Sequence, residues 1–586
     1  MKRQAPRLII FLLSAIFLSF STHTTFGQKG ENLIKIAVTT DVHGAYFPQD
    51  WYTGKSIPGS LSQVSTWARE QRAIPGQTII LLDNGDLIQG DPASYYSNFV
   101  DRTKPNIAAR ILNFMDYEAG TVGNHDLEAG HPVYDKLVKE FQFPWLSANS
   151  IKAGTDEPWF KPYTILTHSG IRIAVLGLTT PKIPDWLPPA LWSGMEFHDM
   201  IETARKWTEF IRTHEKPDLM IGLFHAGVDA TYGQQQATRP LNENASSLVA
   251  QKVTGFDIVF TGHDHRNWNF RVADPNGDSV LILGSESRAG EIAVATIVLS
   301  RKGKSTGILS ISGTHQEMKP YSPDPLFIIK FKGYIDSVQQ YVDQPVGTIT
   351  KAIASDEAYF GPTEFVDLIH RAQLELTGAD ISFTAPLSFR ATIPQGPITV
   401  KDLFKLYRFE NQLYTISLTG SEILGYLNYS YSLWMKTMTG PDDPLLNMEQ
   451  QADGTWRLKS AYYNFDSASG IDYTVDLTKP VDQMVNISRM TDGRPFDLTR
   501  TYKVALNSYR GSGGGSHLSK GAGLSKEEVA KRLISASDMD FRFLLTGWLR
   551  KQGTIDPVTA RNWKTIPENW TQAAAKRDAL RLFPAR

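Results

Sequence analysis

The chain has 586 residues, 60 Lys and Arg against 61 Asp and Glu, 41% hydrophobic residues and no cysteine. At about 150 residues per domain, this length predicts three to four small units or two large ones. A net charge of −1 excludes a general attraction to nucleic-acid polymers or anionic lipid, and the lack of cysteine excludes disulfides, thiolate metal sites and a cysteine nucleophile.

Residues 1–27 have the pattern of a secretory signal. Lys2, Arg3 and Arg7 precede a mostly apolar run over 8–20, and Thr24, Thr25 and Gly27 offer small residues for cleavage. The run is shorter than the roughly 20 residues of a membrane helix, so a mature protein starting near Gln28 is expected, with an uncleaved anchor as the alternative. Export without disulfides fits a bacterial periplasm.

From 28 to 320, short Ile-, Val- and Leu-rich runs alternate with longer mixed segments. Runs at 34–38, 78–82, 171–178, 219–224, 257–260 and 280–283 predict buried strands, and 61–72 and 200–214 predict helices. The alternation predicts a layered α/β domain. Residues 321–345 form a linker, with an amphipathic helix over 327–342 as a bridge and possible hinge. A second mixed α/β domain is expected over 346–545, where 413–418 alternates like a half-exposed strand. A tail without clear periodicity follows over 546–586. Apart from the Gly-Ser stretch at 511–516, there is no low-complexity tract or internal repeat.

Five polar segments each follow an apolar run: Asp41-Val42-His43-Gly44, Asp83-Asn84-Gly85-Asp86, Gly123-Asn124-His125-Asp126, Phe224-His225-Ala226 and Gly262-His263-Asp264-His265. In open α/β sheets the residues just past strand carboxyl ends line the ligand crevice, so distant segments can converge there. Asp, Asn and His gathered together suit a pair of divalent transition ions such as Mn, Zn, Fe or Co. Two such ions clamp a phosphate and activate water, with Asp86 the candidate shared ligand.

The ordered set D-x-H, G-D, G-N-H-D, H and G-H-x-H resembles the calcineurin-like metallophosphoesterases. T-T-D-V-H-G, D-N-G-D-L-I-Q-G and F-T-G-H-D-H-R resemble their secreted nucleotidase branch, which includes 5′-nucleotidases and 2′,3′-cyclic-nucleotide 2′-phosphodiesterase/3′-nucleotidases. The resemblance implies two sheets flanked by helices, followed by an α/β substrate-binding domain. It implies one metal on Asp41, His43, Asp86 and His265, and another on Asp86, Asn124, His225 and His263. His125 matches the catalytic histidine; its partner position holds Glu128, where relatives often carry Asp or Asn.

In the second region, Ser388-Phe389-Arg390 and Tyr407-Arg408-Phe409-Glu410-Asn411 are similar to nucleoside-binding segments, implicating Arg390 and Phe409. The loop Asn507-Ser508-Tyr509-Arg510-Gly511-Ser512-Gly513-Gly514-Gly515 resembles the N-x-Y-R-x-x-G-G-G loop of the 3′-nucleotidase branch, with Tyr509 as an opposing plate for the base. The expected function is hydrolysis of nucleotide phosphoesters, through metal-activated hydroxide attacking phosphorus, by a 2′,3′-cyclic-nucleotide 2′-phosphodiesterase/3′-nucleotidase. The alternatives are a 5′-nucleotidase or UDP-sugar hydrolase of the same family and, more distantly, a non-catalytic nucleotide-binding surface protein. The expected partner is a nucleotide, with no stable membrane span in the mature chain and an oligomeric state the sequence leaves open.

Overall fold

The apolar runs at 34–38 and 78–82 lie within strands Asn32–Thr39 and Gln77–Asp83, and those at 171–178, 219–224, 257–260 and 280–283 correspond to Ile171–Thr179, Leu219–His225, Ile258–Thr261 and Ser279–Gly284. The computed structural model describes residues 32–584 except 233–234, 303–304 and 452–453, so the signal expected at 1–27 lies outside the described residues.

These strands build two six-stranded sheets. The first runs Ser305–Glu317, Glu291–Lys302, Asn32–Thr39, Gln77–Asp83, Tyr117–Thr121, Trp145–Leu146; the second runs Trp268–Ala273, Ser279–Gly284, Ile258–Thr261, Leu219–His225, Ile171–Thr179, Tyr163–His168. The runs are continuously apolar because both faces of each sheet are covered. On one face of the first sheet Ile34, Ile36, Ile80 and Leu82 meet Ile173, Val175, Ile221 and Leu223 of the second. Their alternating neighbours Ala37 and Leu81 turn outward onto Leu61, Val64 and Trp67 of the helix Leu61–Arg72. Burying each large aliphatic side chain contributes about 1.5–3 kcal/mol.

Within the first sheet Asn32–Thr39, Gln77–Asp83 and Tyr117–Thr121 are mutually parallel neighbours, and within the second Leu219–His225 is parallel to Ile258–Thr261. Parallel neighbours end at the same sheet edge, so the five polar segments leave the two sheets at common rims.

The bridging helix spans Pro325–Val342. Asp324 caps its first turn, while the same carboxylate accepts hydrogen bonds from Arg69 (2.9 Å) and Ser65 (2.8 Å) of the first domain. Phe327, Phe331, Val338 and Val342 join the first domain's core, so the helix is fastened to that body along its length.

The second domain centres on a five-stranded sheet ordered Ser467–Ser469, Ile381–Thr384, Thr501–Asn507, Gln412–Thr419, Leu533–Asp540. Gln412–Thr419 was expected to be half exposed; instead Leu413, Tyr414, Thr415, Ile416 and Leu418 are all buried, because the strand has a neighbour on each side and cores against both faces. Residues beyond 546 also depart from expectation. Trp563–Ile566 pairs in parallel with Ile471–Asp476, and the helix Glu568–Leu582 sends Ala574 and Leu582 into the same core. Asp578 on that helix is fully buried and accepts the backbone N–H groups of Leu445 (2.8 Å) and Leu446 (3.0 Å). The expected tail is therefore an integral layer of this domain, held by a polar anchor. Among the described residues, no helix is long and apolar enough to cross a membrane.

Candidate active site

Short side chains from five turns can reach one point only if the backbone doubles back as it leaves each strand. Asp41, His43, Asp86, His263 and His265 all have φ between 48° and 71°, the left-handed region that non-glycine residues rarely enter. Each such residue costs on the order of 1 kcal/mol or more, which the surrounding packing offsets. Two glycines permit the close approach. A Cβ on Gly123 would stand 2.1 Å from Asp86 Oδ1, and one on Gly262 would stand 2.2 Å from Thr40 Oγ1.

The turns gather two groups of ligand atoms, each within 4.8 Å: Asp41, His43 and His265 in one, and Asp86, His225 and His263 in the other. In the first, His43 Nδ1 lies 3.1 Å from the Gln89 carbonyl, to which it must donate, and this leaves a bare lone pair on Nε2. That atom faces His265 Nε2 at 3.2 Å, and His265 Nε2 is 3.3 Å from Asp41 Oδ1. In the second, His225 Nδ1 donates to the Asn84 carbonyl at 2.7 Å. His225 Nε2 then faces Asp86 Oδ2 and Asn124 Oδ1, each at 3.2 Å.

Lone pairs pointed at one another are repulsive unless a cation sits among them, and carbonyl-oriented imidazoles are the usual second layer of a metal site. The electrostatics agree. Burial alone lowers the His225 pKa, yet Asp86 and Asp41 raise it to about 10, so the pocket calls for positive charge at that nitrogen. Burial would raise the Asp86 pKa, but His225 and His125 hold it well below the ordinary carboxylate range. Burial lowers the His43 pKa to about 3, so it stays a neutral donor of electrons. The donor set therefore fits divalent transition ions.

Asp126 organises this rim. Its carboxylate accepts from the backbone N–H groups of Gly123 (2.8 Å), Asp86 (3.0 Å), Leu87 (2.9 Å) and Ile88 (3.1 Å), tying two turns together. His125 donates its own N–H to Asp86 Oδ1 at 2.8 Å, and its ring lies 5.4 Å from that of His43. Its Nδ1 is 2.8 Å from Glu128 Oε2, so Nε2 is the atom Glu128 leaves free. Desolvation lowers the His125 pKa, but Glu128 and Asp86 outweigh it and raise it to about 10.

Across the domain boundary, Phe409 and Tyr509 each stand edge-on to a third ring, Tyr463, at 5.6 Å and 6.3 Å. Arg510 fixes this group. It is buried, pairs with Asp466 through two nitrogens (2.9 and 3.1 Å), and donates to the carbonyls of Tyr463 (2.7 Å) and Gly514 (3.1 Å). Its guanidinium also lies 5.3 Å from the Tyr509 ring centroid. The glycines after it leave room for that ring, since a Cβ on Gly514 would stand 2.4 Å from Tyr509. Arg390 is exposed and stacked at 5.6 Å over Phe583, and its neighbour Phe389 packs against Tyr462 at 5.5 Å.

The two groups face each other. Tyr232 and Glu243 of the first domain act electrostatically on Tyr509, and Glu410 beside Phe409 acts on His125. Tyr95 donates to Asp540 at 2.8 Å across the boundary, and Lys526 pairs with Asp185. Four residues here were not singled out from sequence. Asp126 and Arg510 lie inside quoted motifs; Tyr463, in the short 3-10 helix Tyr462–Asn464, and Glu243, in irregular chain with its carboxylate 3.1 Å from His263 Nε2, belong to no motif.

Comparison with known proteins matches residues 34–267 to the calcineurin-like phosphoesterases and residues 345–519 to the 5′-nucleotidase C-terminal domain. A Haemophilus influenzae protein named 2′,3′-cyclic-nucleotide 2′-phosphodiesterase/3′-nucleotidase is 27% identical, over 94% of this chain and 90% of its own. A candidate 5′-nucleotidase from Staphylococcus aureus, solved with alpha-ketoglutarate, superposes with a TM-score of 0.75 at 22% identity, covering 91% of this chain and 99% of its own. A 5′-nucleotidase precursor from Thermus thermophilus superposes with a TM-score of 0.62 at 20% identity, covering 92% of this chain and all of its own. Calcineurin-like phosphoesterases use divalent metals. With both halves accounted for and a metal-suited donor set in the first, the chain belongs to the calcineurin-like metallophosphoesterases that carry a 5′-nucleotidase C-terminal domain, and is a hydrolase of phosphoric esters.

Proposed function

We propose that the protein is an exported, dinuclear-metal nucleotide hydrolase that opens 2′,3′-cyclic nucleotides and removes phosphate from nucleoside 3′-phosphates, as the name of the Haemophilus influenzae relative suggests. One observation carries the reading: an acceptor-lined pocket beside the His125–Glu128 pair confronts an aromatic cluster on the other domain. The Asn507–Gly515 loop favours the 3′ branch, and the basic and apolar pattern at 1–27 supports export.

In this proposal Asp41, His43, Asp86 and His265 hold one ion, and Asp86, Asn124, His225 and His263 hold the other. Two divalent ions supply a nucleophile from water at neutral pH and neutralise phosphate charge. Asp86 belongs to both sets, and its Oδ1 also receives the His125 N–H, which ties the proton donor to the ions. His125 gives a proton from Nε2 to the departing sugar oxygen while Glu128 holds the ring through Nδ1. Phe409 and Tyr509 grip the base, and that binding energy offsets the entropy of bringing phosphorus into line.

The test is phosphate release from 3′-AMP, 5′-AMP and 2′,3′-cyclic AMP by chelator-treated protein resupplied with Mn, Zn or Co. Release from the first and third substrates, dependent on added metal, is expected. A preference for 5′-AMP would establish the 5′-nucleotidase alternative instead.

A further inference from the structure

The segment that carries Phe409 also carries a carboxylate with nothing to bind. Glu410 is 7% exposed, and neither of its oxygens has a hydrogen-bond partner. The nearest cation, Arg542 Nη1, stands 3.9 Å away, beyond hydrogen-bonding distance. Arg542 donates through Nε and Nη2 to the Tyr407 and Arg408 carbonyls at 3.1 and 2.7 Å, its guanidinium carbon lies 3.8 Å from the Phe404 ring centroid, and its Nη1, the atom nearest Glu410, has no hydrogen-bond partner either. It holds the segment in shape without satisfying the acid. A buried acceptor left unpaired is costly, and native proteins keep few of them without a purpose.

Position supplies the purpose. Glu410 follows Phe409 in the chain, and across the cleft the charges acting on it include Glu128 and His125. It is thus the chain neighbour of the ring assigned to the base and lies within electrostatic reach of the group assigned to the leaving oxygen. In a bound nucleotide the part between base and scissile ester is the ribose, whose free hydroxyl is a donor of the kind Glu410 lacks.

We propose that Glu410 is a specificity-determining residue that accepts a hydrogen bond from the ribose hydroxyl adjacent to the scissile ester, selecting ribonucleotides over 2′-deoxyribonucleotides. This rests on the 3′-nucleotidase reading: in a nucleoside 3′-phosphate the neighbouring donor is the 2′-hydroxyl. A 2′-deoxy substrate would enter the same cleft and leave the carboxylate unpaired in the complex as well.

The experiment compares kcat/KM for 3′-AMP and 2′-deoxy-3′-AMP in the metal-loaded wild type, Glu410→Gln and Glu410→Met, with metal content and thermal melting confirming that each variant is folded. The wild type should prefer the ribonucleotide roughly 10- to 100-fold. In Glu410→Met the preference should fall toward one, chiefly through loss on 3′-AMP, and Glu410→Gln should lie between. Should Glu410→Met fail to fold, Glu410→Gln decides: a preference reduced at least about threefold supports the proposal, and an unchanged one overturns it. Equal losses on both substrates would mean that Glu410 only balances Arg542, and would overturn it too. A wild type that hydrolyses 3′-AMP without a ribose preference sinks this proposal alone; one that hydrolyses only 5′-AMP sinks the 3′ reading together with it.

Discussion

The two faces of the cleft solve the problem of buried charge in opposite ways. In the first domain, carboxylates and carbonyl-oriented imidazoles converge with their ligand atoms aimed at one another. In the second, Arg510 and Asp466 neutralise each other and use their remaining hydrogen bonds to set the aromatic rings. The first set is suited to completion by ions from outside, whereas the Arg510–Asp466 pair is complete within the chain. The first should therefore respond to ions and the second to mutation of its internal pair.

The harshest way to break the first face is Asp86→Asn, which removes the carboxylate proposed to serve both ions. Phosphate release should fall by roughly 10³-fold or more, with bound metal below two ions per chain by elemental analysis. His125→Ala should separate chemistry from metal binding: turnover falls about 10²- to 10⁴-fold while metal content holds. Loss of metal in that variant would reassign His125.

On the second face, Arg510→Met leaves the buried Asp466 without a cation and with the Tyr426 hydroxyl as its remaining side-chain partner. Breaking such a pair costs about 3–5 kcal/mol, visible as a lower melting temperature, and KM for nucleotides should rise as Tyr463 and Tyr509 lose their anchor. Asp466→Asn added to it should recover part of the stability and little of the binding. Melting unaffected by Arg510→Met would mean that the loop is held by other contacts.

Milder still is removal of a single ring. Phe409→Ala or Tyr509→Ala should cost about 1–3 kcal/mol of nucleotide binding, seen as a raised KM, while turnover of a phosphate ester without a base changes less. Equal losses on both substrates would show that the rings shape the domain and do not grip a base.

The same contrast decides what could be read in advance. Each expected ligand follows an apolar run, so strand pattern and polar motif reinforce one another at Asp41, Asp86 and His263. Their left-handed backbone was not legible, because Asp and His enter that region more often than most side chains but still only in a minority of positions. Glu243 sits in irregular chain, where neither period 2 nor period 3.6 exists to place it. Arg510 was visible inside its loop, but only the fold shows it buried against Asp466. The helix Glu568–Leu582 escaped for a related reason. Its buried face is Thr571, Ala574, Asp578 and Leu582, too small and polar to make an apolar stripe.

Acid offers the finest probe of the internally balanced domain. His370 is buried between Ser382 Oγ (2.9 Å) and Ser467 Oγ (3.2 Å), and burial lowers its pKa to about 3. Its folded pKa lies below the unfolded value of about 6.5, so the fold favours the neutral ring. That contribution is fully present above about pH 6.5 and is lost as pH falls toward 3, because the unfolded chain takes up the proton first. By pH 5.5 the loss from this residue is about 1 kcal/mol. Denaturant unfolding of wild type and His370→Asn at pH 7.5 and 5.5 would isolate it: the variant should lose about that much less on acidification. An identical pH slope in both proteins would mean that His370 takes up its proton as readily in the fold as in the unfolded chain, and that the second domain is less self-contained in its electrostatics than the Arg510–Asp466 pair implies.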